Sequence, residues 1–497
     1  FFGAGFVRLK IAGKDEEPDD ITPAWVHQAL GVMNDALLDA ASEGREEEVT
    51  WRRRRIADLV AAERALSKGK QLRWAVDTKA LVAAVTAAYG GSPPTTETGR
   101  VSTSRDTLTE SGNERLEAFG ESGADEKLLT TYAAVLEAGT ERPLHPDFLP
   151  LVASGRTSYS RPNLQNLPRG GHVRECFVPR PGHVLCSVDY SALELCTLAQ
   201  VTFTLFGESA MRAAINAGQD LHVRLAARID GGISYETFAA KLKDRSAKDK
   251  RQLAKAPNFG FPGLMGPAKL VLTGRKQGSR FCELSGRSVR CADNPRVTEY
   301  RRRTIAPTCS GCLEVAEELQ KLWKAEWPEM VPYLEVLSGA AERGQVLESF
   351  GNGMLRLDSS GAAYCNHMFQ NLAAQGATAA LWEVTHEALT DQSSVLYGNL
   401  RPLVFIHDEI ISEIREEVAH ECANRQAEIM VAVMRRYTPD VKISAVPAIA
   451  RRWFKGMEPV FTPAGRLRPW WPPDAGQPWT WGPDQEAMRL DRSSSGL

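Results

Sequence analysis

Two apolar stretches of this chain run straight into carboxylates, and they lie more than two hundred positions apart. The first, Val184 to Val188, is mostly apolar with valines at both ends, and Asp189 follows at once. It reads as a buried strand. In the second, Pro402 to Ile414, Leu403 to Ile406 are apolar, His407, Asp408 and Glu409 interrupt, and Ile410 and Ile411 resume. A hairpin that holds carboxylates at its tip needs this hydrophobic, acidic, hydrophobic order. A carboxylate ending a buried strand is costly unless paired, and a divalent cation is a partner that also does chemistry. Alone, Asp189 or Ser191 has a plainer reading as the cap of the helix implied by Leu193, Leu195, Leu198 and Ala199. With a second acidic strand downstream, the pair favours a fold in which Asp189 and Asp408 face each other across a cleft.

A chain of 497 residues exceeds one ordinary core, so two or three subdomains are expected. The net charge of -2 hides basic clusters at Trp51 to Arg55, Lys241 to Lys255 and Arg296 to Arg303. A nucleic-acid partner is therefore permitted by local patches rather than demanded by the total. No apolar run is long enough to cross a bilayer and no signal peptide is evident, so no membrane partner is expected. Nine cysteines at irregular spacing point to reduced thiols in a cytoplasmic setting.

Taken in order, residues 1 to 20 offer a short strand and the acidic run Lys14 to Asp20. Trp25, Leu30, Met33, Leu37 and Leu38 have helical spacing, with Thr22 as cap and Pro23 in the first turn. Further helices are expected over Arg52 to Leu66, Thr78 to Tyr89 and Asp125 to Leu136, with a polar loop at Thr95 to Ser104. Arg52 to Arg55 read as a solvated helix face. Ser154 to Gly170 is neither helix nor buried strand. Its Arg156, Asn163, Gln165 and Asn166 are donors suited to minor-groove acceptors and phosphates, if it is more than a surface loop. Beyond Asp189 the chain is helical, with His222 near a helix start, a place where a lone histidine is usually structural. In Asp249 to Gly266, Arg251, Lys255 and Phe259 recur every four residues, so one helix face offers two cations and an aromatic ring. Two such cations can bind phosphates while the ring stacks on a base.

These segments resemble, in order, three motifs of the family A DNA polymerases. Arg156 to Pro168 resembles the Arg-x6-Asn-Leu-Gln-Asn-x-Pro loop, DYSALEL from Asp189 to Leu195 resembles motif A, and the stretch from Asp249 resembles the Arg-x3-Lys-x3-aromatic-Gly of motif B. His407, Asp408 and Glu409 match motif C, and the resemblance covers about residues 75 to 455. It implies an α+β, right-hand polymerase fold with an antiparallel-sheet palm and helical fingers and thumb. The expected divisions are an N-terminal segment and thumb over 1–150, palm over 151–215 and 344–455, fingers with a Cys-containing insertion over 216–343, and a tail over 456–497.

The resemblance implies a template-directed DNA polymerase that adds dNTPs to a primer 3′-hydroxyl and releases pyrophosphate. Asp189, Asp408 and the Tyr190 main chain would hold two Mg²⁺ ions, with Glu409 in support. Arg251, Lys255 and His222 would contact the triphosphate of the incoming nucleotide, Phe259 and Tyr190 would belong to its pocket, and Glu194 would exclude a ribose 2′-hydroxyl. Primer-template DNA would meet Arg156, Asn163, Gln165 and His407, and also Asn371 and Gln375, which lie four apart on the helix expected over Tyr364 to Thr385. Where the family has arginine on that helix this chain has His367. Other departures are Gly263 in place of a tyrosine, and Ala192 and Cys196 in motif A.

Cys282, Cys291, Cys309 and Cys312 sit in an arginine-rich insertion, and Cys309-Ser-Gly-Cys312 is the close pair of a zinc knuckle. They are read as a structural zinc site or as small buried residues. The insertion and the Pro-Gly after the motif B aromatic point to a phage-like branch, acting in the cytoplasm of a bacterial host. Gly344 to Leu357 reads as a hairpin, Glu416 to Tyr437 as a helix, Val441 to Val446 as a closing strand, and the chain beyond Phe461 as an extended tail. The N-terminal stretch is too short for an exonuclease and its acids lie in a polar run rather than on a strand, so no proofreading is expected from this chain. The rivals are a single-subunit RNA polymerase of the same fold, against which Glu194 argues, and a non-catalytic DNA-binding replication subunit.

Overall fold

The computed structural model describes residues 7–12, 21–91, 93–94, 100–168, 172–276, 280–285, 295–296, 299–300, 303–304, 308–357 and 359–472. The acidic run Lys14 to Asp20, half of the 95–104 loop, Cys291, half of the 296–303 basic cluster and the tail beyond 472 lie outside the described residues. Contacts divide the chain into two compact units, residues 1–130 with 296–307, and residues 131–295 with 308–497.

In the first unit Thr22 caps the helix Pro23–Ser42, its Oγ1 accepting from Trp25 N at 3.2 Å, and Asp77 caps Thr78–Ala88 through Ala80 N at 3.1 Å. The strand expected near the start is Val7–Ile11, and it pairs antiparallel with Leu72–Val76, a strand that no clear alternation announced. The second helix is longer than its apolar pattern, Glu46–Leu66. Its arginines are not one solvated face: Arg53 and Arg54 are exposed, whereas Arg55 is buried and pairs with Asp58 at 3.4 Å. Helical spacing puts Arg55 on the same side as Leu59 and Ala62, which are core residues. The helix expected from Asp125 starts earlier, at Glu114, because Asn113 Oδ1 accepts from Arg115 N at 3.1 Å and Leu116 N at 3.2 Å. The helix Ala134–Glu141 belongs to the second unit.

The second unit is built on a four-stranded antiparallel sheet, ordered Leu400–Ile406, Glu409–Arg415, His183–Tyr190, Ala445–Ala450. The helices Leu193–Phe206, Gly361–Thr390 and Ala419–Tyr437 share its core. The closing strand lies four residues later than expected; Val441 and Ile443 are buried in the preceding turn, and pairing begins at Ala445↔Tyr190. That strand is an edge, so Pro447, which cannot donate to the ladder, is tolerated there. The long helix Gly361–Thr390 meets Ala419–Tyr437 at Gly376, where a Cβ would fall 2.4 Å from Met434 Sδ. The expected hairpin forms as Leu347–Glu348 with Leu355–Arg356. Among the described residues past Ala450, Val460–Phe461 pairs with Leu467–Arg468 in a small hairpin, and Trp470 bridges back to Ala450. Among the described residues no helix is long and apolar enough to cross a membrane.

Candidate active site

The sheet register brings the two acids together. Ile406 pairs with Glu409 across a two-residue turn, His407 and Asp408, and Ile410 pairs with Val188. The hairpin tip is thereby carried to the end of the strand where Asp189 stands. His407 adopts φ 60, a left-handed conformation that closes this tight turn. Asp189 is open to solvent yet flanked by protein; burial first, then Glu409, pushes its carboxyl up to about 6. Burial, then Asp189, then Glu194, pushes Asp408 up to about 7. Glu409 is buried and held on both oxygens: Ser187 Oγ donates to Oε1 at 2.5 Å, and Lys455 Nζ lies 3.7 Å from Oε2. Ser187, Asp189, Glu409 and Lys455 line one cleft of about 270 Å³. Asp189 caps no helix; Ala192, with φ 51, precedes Leu193–Phe206.

The loop before this strand is tied to the same hairpin. Gln165 Nε2 donates to Phe405 O at 3.3 Å and to Thr157 Oγ1 at 3.2 Å, and Phe405 N donates to Tyr159 Oη at 3.2 Å. Asn163 Oδ1 accepts from Gln165 N and Asn166 N, so its carboxamide oxygen shapes the loop. Arg156 forms an ion pair with Glu194 and pulls the Asp408 carboxyl back down. Tyr190 sits otherwise than a pocket aromatic would: its phenol is buried and donates to Met430 O at 2.7 Å, leaving the main chain at the cleft.

The cationic face lies on the helix Arg245–Gly260. Arg251 Nε and Nη2 donate to Asp220 Oδ2 at 3.1 and 2.5 Å, and Asp220 Oδ1 caps the helix Leu221–Ile229 through His222 N and Val223 N. Lys255 is half-buried, and Phe259 is 50% exposed with its ring 5.2 Å from that of His222. His222 is buried, and burial pulls its imidazole down to about 4, neutral near pH 7. Arg251, Lys255 and Phe259 therefore share one helix at the spacing expected, and the fold sets His222, from another helix, against the Phe259 ring.

The downstream helix differs from its sequence reading. His367 and Asn371 are buried, with His367 Nε2 2.7 Å from Ser349 Oγ and Asn371 Nδ2 3.5 Å from Ser154 O. Gln375 Nε2 donates to Phe350 O at 3.1 Å and also to Asn371 Oδ1. Gly155, at φ +81, allows this approach; a Cβ there would lie 2.0 Å from Asn371 Nδ2. At Gly263 a Cβ would meet Asn366 Nδ2 at 2.6 Å, so Asn366 fills the space beside that glycine.

The sulfurs of Cys282, Cys309 and Cys312 are buried and lie within 4.8 Å of one another, a group that can bind a metal. Sequence reasoning missed Asp220, Asn258, Ser187 and Lys455. Asp220 could have been found as a helix cap; the others carry no local signal.

An acid-tipped hairpin thus lies beside an acid-ended central strand, on an antiparallel sheet that shares its core with long helices, an α+β arrangement. The fold is similar to a solved structure, the "POL domain of Pol1 from M. smegmatis complex with DNA primer-template and dNTP", with a TM-score of 0.54 at 19% identity over 88% of this chain and 67% of that one. A model of DNA polymerase family A matches residues 35–272. The chain is 26% identical over 437 residues to DNA polymerase I of Pseudomonas aeruginosa, covering 84% of this chain and 42% of that protein. It is 32% identical over 190 residues to DNA polymerase I of Caldicellulosiruptor bescii, covering 36% of this chain and 20% of that protein. It thus spans less than half the length of these two curated relatives. Residues 35–272 thus match the DNA polymerase family A model, and the chain is similar to DNA polymerase I proteins over the parts aligned.

Proposed function

We propose that this chain is a template-directed DNA polymerase that adds dNTPs to a primer 3′-hydroxyl and releases pyrophosphate. The observation that carries this reading is the hairpin tip bearing Asp408 set beside the strand end bearing Asp189, each with its carboxyl pushed up. The donor set fits a hard divalent cation. Asp189 lies within electrostatic reach of both Asp408 and Glu409, while the nearby cations Arg156 and Lys455 are engaged by Glu194 and Glu409. Oxygen ligands with surplus negative charge are what Mg²⁺ takes. Bound at Asp189, Asp408 and the Tyr190 main chain, two Mg²⁺ ions would supply activation of the 3′-hydroxyl and neutralisation of phosphate charge.

The chain's own groups orient the reactants. Arg251 and Lys255 provide the cations that hold a triphosphate, His222 adds a donor, and the half-exposed ring of Phe259 packs on the base and sugar. Glu194, held by Arg156, blocks a ribose 2′-hydroxyl. Arg156, Asn163, Gln165 and His407 lie on the loop and tip nearest the acids and are assigned to the primer-template duplex. Asn371 and Gln375 reach it only if their present hydrogen bonds rearrange. In this reading the sheet is the palm, residues 216–343 belong to the fingers, and the N-terminal helices form the thumb. A phage-type lineage and a bacterial host cytoplasm remain part of the proposal, resting on the Cys insertion.

At the Cys282, Cys309 and Cys312 cluster we propose a structural Zn²⁺; Cys291, the fourth cysteine of the insertion, lies outside the described residues. Zinc bound at about 2.3 Å to each thiolate matches sulfurs this close together. Metal analysis of purified protein should return about one zinc per chain, lost in Cys312→Ala.

Primer extension on a defined template with Mg²⁺ tests the main proposal. Wild type should extend with dNTPs and Asp408→Ala should not; extension by the variant at the wild-type rate would overturn the assignment. Preference for rNTPs would favour the RNA polymerase reading instead.

A further inference from the structure

Asn258 has no exposed surface. Its Oδ1 accepts from two buried indoles, Trp323 Nε1 at 3.1 Å and Trp327 Nε1 at 3.2 Å. Its Nδ2 donates to Leu221 O at 3.2 Å and lies 3.1 Å from His222 Nδ1. An indole N–H can only donate and a backbone carbonyl can only accept, so a single orientation of the carboxamide satisfies all three of these neighbours. In that orientation an amide N–H points at His222 Nδ1. Nδ1 must then carry the lone pair, and the ring proton must be on Nε2, which makes no hydrogen bond among the described residues.

We propose that Asn258 is a positioning residue that locks His222 as its neutral Nε2–H tautomer, so that His222 meets nucleotide phosphate as an uncharged, one-hydrogen donor. The functional half of this inference rests on the assignment of His222 to the triphosphate pocket. An imidazolium would need a proton on Nδ1, which would meet the Asn258 N–H donor to donor. The charged groups acting on the ring divide: Asp220 favours a proton there, while Arg251 and Lys255 oppose it, and burial opposes it most. Charge for the phosphates is thus left to Arg251 and Lys255, while His222 supplies direction. The two tryptophans fix the amide, the amide fixes the histidine, and no member of the relay except His222 has to touch the nucleotide.

The test is ¹⁵N NMR of histidine-labelled full chain, with the His222 signals assigned through His222→Gln. In wild type, Nδ1 should be unprotonated and Nε2 protonated across about pH 5 to 8. In Asn258→Leu, which removes the lock while keeping an apolar fit, His222 should titrate nearer its ordinary value of about 6.5. The apparent KM for dNTP of that variant should gain a pH-dependent step there that wild type lacks. A merely structural Asn258 would lower thermal stability and leave the His222 titration unmoved. Wild-type Nδ1 found protonated at neutral pH overturns the lock outright, even if Asn258→Leu fails to fold. If the tautomer is as proposed but dNTP leaves the His222 signals unchanged, the lock stands and the placement of His222 on the nucleotide falls.

Discussion

The acid tip and the Asn258 relay are both polar clusters of the second unit, and they are built in opposite ways. Beside the tip, Asp189 feels both Glu409 and Asp408, and both aspartates are pushed up toward neutral pH. Around Asn258 the amide N–H groups and both indole N–H groups have acceptors, and the carboxamide is fully buried. A polar cluster left incomplete is unstable by itself and waits for a ligand. One that is complete is rigid, and can dictate where a neighbour's proton resides.

The contrast breaks first at the acids. Asp408→Ala should lower primer extension about 10³-fold or more, measured by single-turnover kinetics, while the protein still folds. Asn258→Ala should do the reverse, lowering folding stability by about 2–4 kcal/mol in a denaturant titration because it strands two indole N–H groups and a cavity. His222 sharpens the comparison through pH. Its folded pKa of about 4 lies below the ordinary 6.5, so the unfolded chain binds the extra proton first and stability is lost as pH falls from 6.5 to 4. His222→Gln should flatten that loss by about 2–3 kcal/mol. Asp408 has the opposite sign. Its folded pKa of about 7 lies above the ordinary 3.8, so its burden on the metal-free fold grows as pH rises between those values. Metal-free Asp408→Asn should therefore be more stable than wild type at pH 8 by about 1 kcal/mol, water contact having screened part of the effect. Added Mg²⁺ should stabilise wild type and not the variant, narrowing or reversing that order in thermal melts.

What was legible follows from the reach of each signal. The acid-ended strand and the interrupted apolar strand were visible because strand burial and charge conflict locally, and the sheet register then paired Ile410 with Val188. The 251, 255, 259 face was visible because helical spacing is local too. Arg55 was misread because its partners lie on other helical turns, and the closing strand was displaced because its start is set by pairing with Tyr190 rather than by its own residues. Asn371 was read as a DNA contact, yet in the folded chain it sits under Gly155 with its amide turned to Ser154.

The sequence by itself determined which side chains carry charge, where strands and helices begin to be favourable, and that two carboxylates needed a shared partner. Only the tertiary structure decided that Trp323 and Trp327 would converge on Asn258, and that Asp220 would take hold of Arg251. The reason is physical: periodicity reports which face of an element is buried, whereas the identity of a hydrogen-bond partner depends on which distant element packs against that face.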